Sequence, residues 1–336
     1  MSINGKSVLI VAVMRNEGPY ILEWLAHHFS IGFDELLIFT NDCDDNTDHI
    51  LDRLEELLPG KVKHQPNPKI MFRDRGVWHI MALRYAASFG KYQKATWRYA
   101  TDADEFLFLK TPEQTLDSLL EATGETDVIS FTSIGFNSSN QKRLNSQLTT
   151  DRFTSMSRNY DQVPDNGKPM ISAVKTLFRG SIQGAWRPHR PVTPAFSKTG
   201  QRWINGSAEV MPASFTDGSY KGIDPQPTRK FAQMHHYAIK SAEAFLIKVD
   251  RGDAVDPARL GRSQGYWANY NQLGAEETCA CHHNQAFKDL YEYFLSDRQL
   301  RELHEMSLQI HKDKVARILK TPAGETLARE IGYFEK

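Results

Sequence analysis

Short apolar runs alternate with amphipathic segments along the N-terminal part of this chain. The run SVLIVAV (7–13) is continuous and rich in β-branched residues, which is typical of a strand buried on both faces. The next segment, 16–32, repeats large apolar residues at helical spacing and has a proline near its start, so it predicts a helix. Later segments repeat this alternation, with strands predicted in 34–42, 62–65 and 98–110 and helices in 45–60 and 76–90.

Such alternation predicts an α/β fold with a mostly parallel central sheet and helices on both faces. Polar turns follow three of the predicted strands: MRNE (14–17), TNDCDDNTD (40–48) and DADE (102–105). Ligands of parallel sheets bind beyond the carboxyl ends of the strands. We therefore expect the three turns to meet at one edge of the sheet and to form a binding site there.

The turn at 102–105 carries the strongest chemical signal. Asp102 and Asp104 are separated by one residue, so in an extended chain both carboxylates face the same way. Oxygen ligands of this kind suit Mg²⁺ or Mn²⁺ and a bound phosphate. The alternative for these residues is a solvated acidic turn.

The other two turns offer nucleotide contacts. Asp42, at a predicted strand end, is placed to bind a ribose hydroxyl or a base, whereas Asp44 and Asp45 are assigned to solubility. Arg15 is a candidate phosphate or base contact, with Asn16 and Glu17 offering groups beside it; the alternative is a surface arginine paired with Glu17. The first turn has neither a G-x-G-x-x-G fingerprint nor a Walker loop, which argues against a dinucleotide dehydrogenase and a P-loop enzyme.

Composition narrows the class of protein. Lys plus Arg and Asp plus Glu both number 41, so no excess of positive charge indicates a nucleic-acid partner. The apolar run at 8–14 is too short to span a membrane, and no transmembrane segment is predicted. Three cysteines suit a reducing compartment. We expect a cytoplasmic protein, or one peripheral to the inner face of the membrane.

Motifs along most of the chain resemble a known family. The stretches VAVMRNEGPYILEWLAHHFSIGFDELLIFTNDCDDNTDHIL and YATDADEFL, followed by WRPHRP, WINGSAEV and HHYAIKSAEAFLIKVDRG, are similar to family-two-like glycosyltransferases. The subgroup they resemble most is the one related to the domain once described as unknown-function family twenty-three. The resemblance spans about residues 6–252.

This resemblance implies a GT-A fold, a nucleoside-diphosphate sugar donor and a divalent metal, Mn²⁺ or Mg²⁺. Asp102 and Asp104 match the family's D-x-D motif, with Asp102 also on the donor side, and Asp42 matches its first acidic nucleotide contact. The chain has TND where two consecutive aspartates often stand, which leaves the base open. We predict a GT-A-like domain over 1–252 and a helical extension packed on it over 253–336.

Two later motifs supply further candidates. In HHYAIKS, His236 and Lys240 are four residues apart and would share one face of a helix. His236 would complete the metal shell while Lys240 binds a donor phosphate; the alternative is a buried histidine beside a surface lysine. In AWRPHRPV, Arg187, His189 and Arg190 form a basic patch that suits a diphosphate or an acidic acceptor; the alternative is a proline-shaped surface loop.

The remaining candidates have weaker support. Direct displacement with inversion needs a base for the acceptor hydroxyl, and Glu209 and Asp217 are candidates by position, with Glu105 a further choice. Inversion or retention stays open. The polar stretch 137–170 is an ordered excursion or a lid. CACHHN (279–284) has residues of metal-ligand type, but they are too close together for an ordinary zinc site, and we interpret it as a loop.

We therefore predict a metal-dependent glycosyltransferase that acts on a saccharide or lipid-linked acceptor, with surface polysaccharide synthesis as the process that the resemblance suggests. One alternative is a nucleotidyltransferase or metal-dependent phosphoesterase that uses the same acidic turns. The chain lacks the Gly-rich, basic opening loop of sugar nucleotidyltransferases, which counts against it. Another alternative is a non-catalytic carbohydrate- or nucleotide-binding module.

Overall fold

A computed structural model describes residues 7–70, 77–158, 160, 172–217, 223–224, 228–252, 264–272, 274 and 283–334. The strands are β1 (Val8–Met14), β2 (Glu35–Thr40), β3 (Val62–Pro66), β4 (Trp97–Ala100), β5 (Glu105–Leu109), β6 (Val128–Gly135), β7 (Ser172–Arg179), β8 (Trp203–Asn205), β9 (Ile223–Asp224) and β10 (Ala232–His236). The helices are α1 (Ile21–Ser30), α2 (Thr47–Leu57), α3 (Trp78–Ala86), α4 (Gly90–Lys94), α5 (Leu116–Thr123), α6 (Thr149–Arg152), α7 (Ala213–Thr216), α8 (Ala242–Asp250), α9 (Gln264–Tyr270), α10 (Gln285–Ser296), α11 (Arg298–Ile318) and α12 (Pro322–Glu330). Short 3₁₀ turns occupy Gly18–Tyr20, Pro68–Ile70 and Phe196–Lys198.

The strands form one mixed sheet in the order β3-β2-β1-β4-β7-β6-β10-β5, with β8 beside β6 and β9 beside β7. Strands β3, β2, β1 and β4 are all parallel, as the alternating pattern predicts. Strand β7 is antiparallel to both β4 and β6, and β5 is antiparallel to β10. The α/β class is therefore confirmed, and the sheet is parallel in its first half and mixed in its second.

The predicted strand 98–110 is wrong as a single element. It forms two strands, β4 and β5, which lie far apart in the sheet order. A turn separates them, and the Glu105 carboxylate closes it by accepting hydrogen bonds from Thr101 Oγ1 (3.1 Å) and the Asp102 backbone N–H (2.9 Å). Asp102 and Asp104 therefore stand on a turn, not on an extended chain.

Both faces of the sheet are covered. Along β1, Val8 and Ile10 pack with α1 and α2 on one face, whereas Leu9 and Val11 pack with α3 on the other. Each of these four side chains is 0% exposed, which explains why the run is apolar without alternation.

The C-terminal helices share this core. Phe287 and Phe294 of α10 and Leu300 of α11 are buried in the same cluster as the α1 side chains. No helix in the described part of the chain is long and apolar enough to cross a membrane. Part of the predicted lid (159 and 161–170) and four residues of CACHHN (279–282, including Cys279, Cys281 and His282) lie outside the described residues.

Candidate active site

The turns after β1, β2 and β4 lie at one edge of the sheet, because these three adjacent strands are parallel. Side chains connect the first two turns directly. Asn16 Nδ2 donates to Asp44 Oδ1 (2.6 Å), and the Asp44 N–H donates to Asn16 Oδ1 (2.9 Å). Asn16 has a left-handed backbone (φ 55°) and is buried, and its side chain holds the two turns together.

The D-x-D turn contains a buried lysine that the sequence analysis missed. Lys175 of β7 is 0% exposed, and its Nζ contacts Asp102 Oδ2 (3.0 Å) and Glu105 Oε2 (2.8 Å). Burial would raise the pKa of Asp102, but Lys175 and His79 outweigh it and lower that pKa to about 2. Asp102 is therefore ionised, and one of its oxygens is bound to an internal cation.

Asp104 is paired in the same way with a second missed lysine. Lys248 Nζ of α8 donates to Asp104 Oδ2 (2.5 Å) and to the Ala238 carbonyl (2.6 Å). Burial opposes ionisation here too, yet Lys248 and His236 hold the pKa of Asp104 well below its usual value. The other oxygen, Oδ1, lies 3.8 Å from His236 Nε2.

A divalent metal fits the chemistry of this turn. The Oδ1 atoms of Asp102 and Asp104 each have an imidazole nitrogen at 3.8 Å, from His79 and His236 respectively. Nε2 of the buried His79 has no hydrogen-bond partner among the described residues. Carboxylate oxygens suit Mg²⁺ or Mn²⁺, whereas imidazole nitrogens are common ligands of Zn, Cu, Fe and Ni. Across the described residues, however, no three His, Cys, Asp or Glu side chains converge as a preformed metal centre.

The predicted nucleotide contacts flank this turn. Asp42 is ion-paired with Lys69, and its backbone is left-handed (φ 51°). The Lys69 hydrogen bond is the largest influence on the pKa of Asp42, which is lowered, and Arg15 contributes in the same direction. Arg15 Nε is buried with no hydrogen-bond partner in the described part of the chain, so this guanidinium retains a donor for a ligand.

Glu17 is not paired with Arg15. It is buried and accepts a hydrogen bond from Arg251 Nη1 (2.6 Å), while Lys240 Nζ lies 3.8 Å from its other oxygen. Lys240 also lies 4.0 Å from the centre of the Tyr20 ring. Glu17 is thus a counter-ion for two cations rather than an exposed donor contact.

The prediction that His236 and Lys240 share a helix face is wrong. His236 ends strand β10, and Lys240 lies in the following turn with a left-handed backbone (φ 52°). Both side chains nevertheless act on the same carboxylate, since both lower the pKa of Asp104. The turn brings them together where a helix was expected.

The assignment of Asp45 to solubility is also wrong. Asp45 is 0% exposed and accepts hydrogen bonds from the Gly18 N–H (3.1 Å) and Thr47 Oγ1 (2.6 Å). His311 Nε2 of α11 lies 2.7 Å from its Oδ2, and Lys314 of the same helix pairs with Asp44. Helix α11 therefore contacts the turns at the sheet edge directly.

The basic patch of AWRPHRPV is divided by the fold. His189 Nδ1 lies 3.0 Å from the Val174 carbonyl; burial, with Lys175 nearby, lowers the pKa of His189 to about 4. Arg190 is 1% exposed, and its guanidinium packs 4.5 Å from the centre of the Phe215 ring. Arg190 is thus a core residue, His189 lies near the D-x-D turn, and Arg187 is half-buried.

The two candidate bases have partners of their own. Glu209 Oε2 accepts from Asn205 Nδ2 (3.0 Å) in the turn after β8. Asp217 follows α7 and accepts from the Ser197 N–H (2.8 Å) and hydroxyl. Phe215 of α7, two residues before Asp217, packs in the cluster on the α3 face. The hydrogen bonds of Glu209 and Asp217 given above do not connect either residue to Asp102 or Asp104.

Lys175 and Lys248 had a detectable signal in the sequence. Each is a single lysine flanked mainly by apolar residues, in SAVKTLF and AFLIKVD, and a lysine is almost never fully buried unless it is paired. The partner carboxylates, however, lie 73 and 144 residues away along the chain, so the pairing could not be found from local pattern.

A comparison with known families identifies the class and then the family. The protein is a glycosyltransferase, because the model of glycosyltransferase family 92 matches residues 11–182, about half of the chain. The chain belongs to glycosyltransferase family 92. The match covers the turns at 14–17, 40–48 and 102–105, and it favours sugar transfer over the nucleotidyltransferase, phosphoesterase and binding-module alternatives.

Similarity to individual proteins is low. No curated protein sequence matches this chain. Among solved structures, the chain is similar to S. aureus TarS (15% identity, 72% of this chain and 38% of that one, TM-score 0.33) and to TarS 1-349 in complex with UDP (16%, 52% and 47%, 0.28). It is also similar to the mannosyltransferase Ktr4p from S. cerevisiae (10%, 41% and 42%, 0.27). The chain matches less than half of the length of each of these three structures.

Proposed function

We propose that this glycosyltransferase moves a sugar from a nucleoside-diphosphate donor to a saccharide or lipid-linked acceptor, with Mn²⁺ or Mg²⁺ at the D-x-D turn. The observation that carries the proposal is the meeting of two ionised carboxylates, Asp102 and Asp104, with the turns after β1 and β2 at one edge of the sheet. The proposal also places the protein among the family-two-like enzymes, in surface polysaccharide synthesis and in the cytoplasm. These three points are supported by the sequence alone.

In the transfer, the bond between the sugar's anomeric carbon and the diphosphate oxygen breaks. The acceptor oxygen bonds to that carbon, its proton passes to a base, and the nucleoside diphosphate leaves with increased negative charge. A bound divalent ion would neutralise part of that charge. Glu209 and Asp217 stay candidates for the base. Glu105 instead stabilises the D-x-D turn through its ion pair with Lys175.

The residues of the chain divide these tasks by position. The Oδ1 atoms of Asp102 and Asp104, with His236, would hold the ion, because their other oxygens are bound to lysines. Lys240 would attract the diphosphate from the side of Tyr20 and Glu17. Arg15 and Asp42 would bind the nucleoside, since Arg15 retains an unpartnered donor.

The first prediction tests this donor site. Asp104→Asn keeps the shape of the side chain and removes its charge, so we expect metal-dependent nucleotide binding to weaken at least about tenfold, which is about 1.4 kcal/mol. The measurement is isothermal titration of UDP, GDP, ADP and CDP, with Mn²⁺ and with EDTA. The exposed Asp313 of α11 supplies the control, Asp313→Asn, which should bind like wild type.

Circular dichroism would first establish that the Asp104→Asn variant is folded. If no nucleoside diphosphate binds the wild type in Mn²⁺, or if the variant binds as tightly as wild type, the carboxylates of the D-x-D turn do not hold the donor and the proposal is wrong.

A further inference from the structure

A polar cleft lies beside the D-x-D turn and plays no part in the donor site described above. Its void measures about 500 Å³ when space open to solvent is included, and it opens at the carboxyl end of β6, over Ser133 and Gly135. One wall is formed by Ser157, Arg158 and Tyr160, and the other by the end of α9, where Tyr270 lies.

Gly135 brings the walls of this cleft together. A Cβ atom at this position would lie 2.7 Å from Ser157 Oγ, 3.0 Å from Tyr160 Oη and 3.1 Å from Tyr270 Cε1. A larger residue would therefore push at least one of these side chains out of place. The Tyr160 hydroxyl in turn accepts the Gly135 N–H (2.7 Å).

The cleft adjoins the predicted metal ligands. Gly135 is paired with His236 between β6 and β10, and the Tyr270 ring meets the His236 ring edge-on at 5.5 Å. His236 Nε2 is in turn 3.8 Å from Asp104 Oδ1. Tyr270 therefore connects the cleft to the D-x-D turn through His236, so a molecule in the cleft would lie next to the proposed donor site.

Hydrogen bonds from the residues just after β6 hold the wall that carries Tyr270 in place. Asn137 Nδ2 donates to the Gln272 carbonyl (2.9 Å), and the Ser138 N–H donates to Asn271 Oδ1 (3.0 Å). Both Asn137 and Ser138 are buried. The aromatic ring is thus pre-positioned, which reduces the entropy that a ligand would otherwise lose in ordering it.

We infer that this cleft binds the acceptor as a pyranose sugar that packs against Tyr270. An aromatic face with a polar edge suits a sugar ring, and hydroxyl and amide groups of Ser133, Asn269 and Gln272 are placed to meet its hydroxyls. The lining is mostly polar and includes the charged Arg158, which suits a saccharide rather than a lipid chain. This inference rests on the proposed function and narrows its acceptor.

The test measures sugar binding without turnover. Saturation-transfer NMR would be recorded with the methyl pyranosides of galactose, glucose, mannose and N-acetylglucosamine. We expect at least one to bind wild type and Tyr270→Phe, which keeps the ring, and to lose most of its signal in Tyr270→Ala and Gly135→Ala. Tyr293→Ala removes an exposed tyrosine of α10 and should leave the signal unchanged.

The nucleotide titrations described above, repeated on Tyr270→Ala, separate this inference from the donor site. Unchanged nucleotide affinity, with loss of the glycoside signal, supports a distinct acceptor cleft. If nucleotides bind but no glycoside does, or if folded Tyr270→Ala and Gly135→Ala bind glycosides as wild type does, the acceptor inference is wrong while the donor proposal stands. If glycosides bind as expected but no nucleotide does, the donor proposal alone fails.

Discussion

Lys175 shows how much the site depends on single buried charges. Its ammonium group is 0% exposed and contacts both Asp102 and Glu105. Burial by itself would lower the pKa of Lys175, yet these carboxylates raise it above its usual value, so the lysine stays charged. The cation compensates two acidic groups that would otherwise repel one another across a closed turn.

We predict that Lys175→Met lowers the free energy of unfolding by about 3–5 kcal/mol, because it leaves buried carboxylates without their counter-ion. Urea denaturation would measure the loss, and the added change Glu105→Gln should recover part of it. Lys63 supplies a control, since its pair with Glu55 is 38% and 31% exposed and Lys63→Met should cost about 1 kcal/mol or less. A similar small cost for Lys175→Met would contradict the proposed role.

At the scale of elements, α11 contributes to the candidate active site from outside the family match. His311 meets the buried Asp45, which also accepts the Gly18 N–H. Gly18 is needed at this contact because a Cβ there would lie 2.8 Å from Ser307 Cβ of α11. The helix is thus fitted closely against the turns after β1 and β2.

We predict that His311→Ala loosens these two turns and lowers the free energy of unfolding by about 1–3 kcal/mol, because a buried charged acceptor loses its partner. Hydrogen exchange provides the specific measurement: the amides of Gly18 and Thr47, which both donate to Asp45, should exchange faster. The exposed Lys312 on the same helix supplies the control, Lys312→Ala. Unchanged protection of both amides in His311→Ala would show that α11 does not hold the turns.

At the scale of the whole molecule, buried histidines limit stability in acid. His27 and His28 of α1 are buried against the sheet, and burial lowers the pKa of His27 to about 4 and that of His28 well below its usual value. Since the unfolded chain binds protons near pH 6.5 and the folded chain does not, the free energy of unfolding falls as pH drops from about 6.5 towards 4.

We predict that His27→Gln reduces this pH dependence by up to about 1.4 kcal/mol per pH unit. Glutamine can still donate to the Leu107 carbonyl, which lies 2.8 Å from His27 Nε2. Urea denaturation between pH 4 and 7 would measure the slope, with His49→Gln as a control at an exposed position. Equal slopes for wild type and His27→Gln would show that His27 does not cause the acid sensitivity.

The sequence by itself determined the α/β class, the parallel strands β1 to β4 and the polar turns that follow three of them. It could do so because apolar periodicity and turn chemistry are local properties, recorded within a few residues of each element. The D-x-D pair and Arg15 were also chosen as candidates in this way, since each follows an apolar run directly.

Only the tertiary structure decided which charges meet. Lys175, Lys248 and His311 reach Asp102, Asp104 and Asp45 across 73, 144 and 266 residues of chain, and no local pattern encodes such pairs. The same holds for the turn at 101–104, where a buried glutamate closes the chain that an apolar pattern predicted to be extended. Burial makes an unpaired charge costly, so the partners of the acidic turns were fixed by the packing of distant elements.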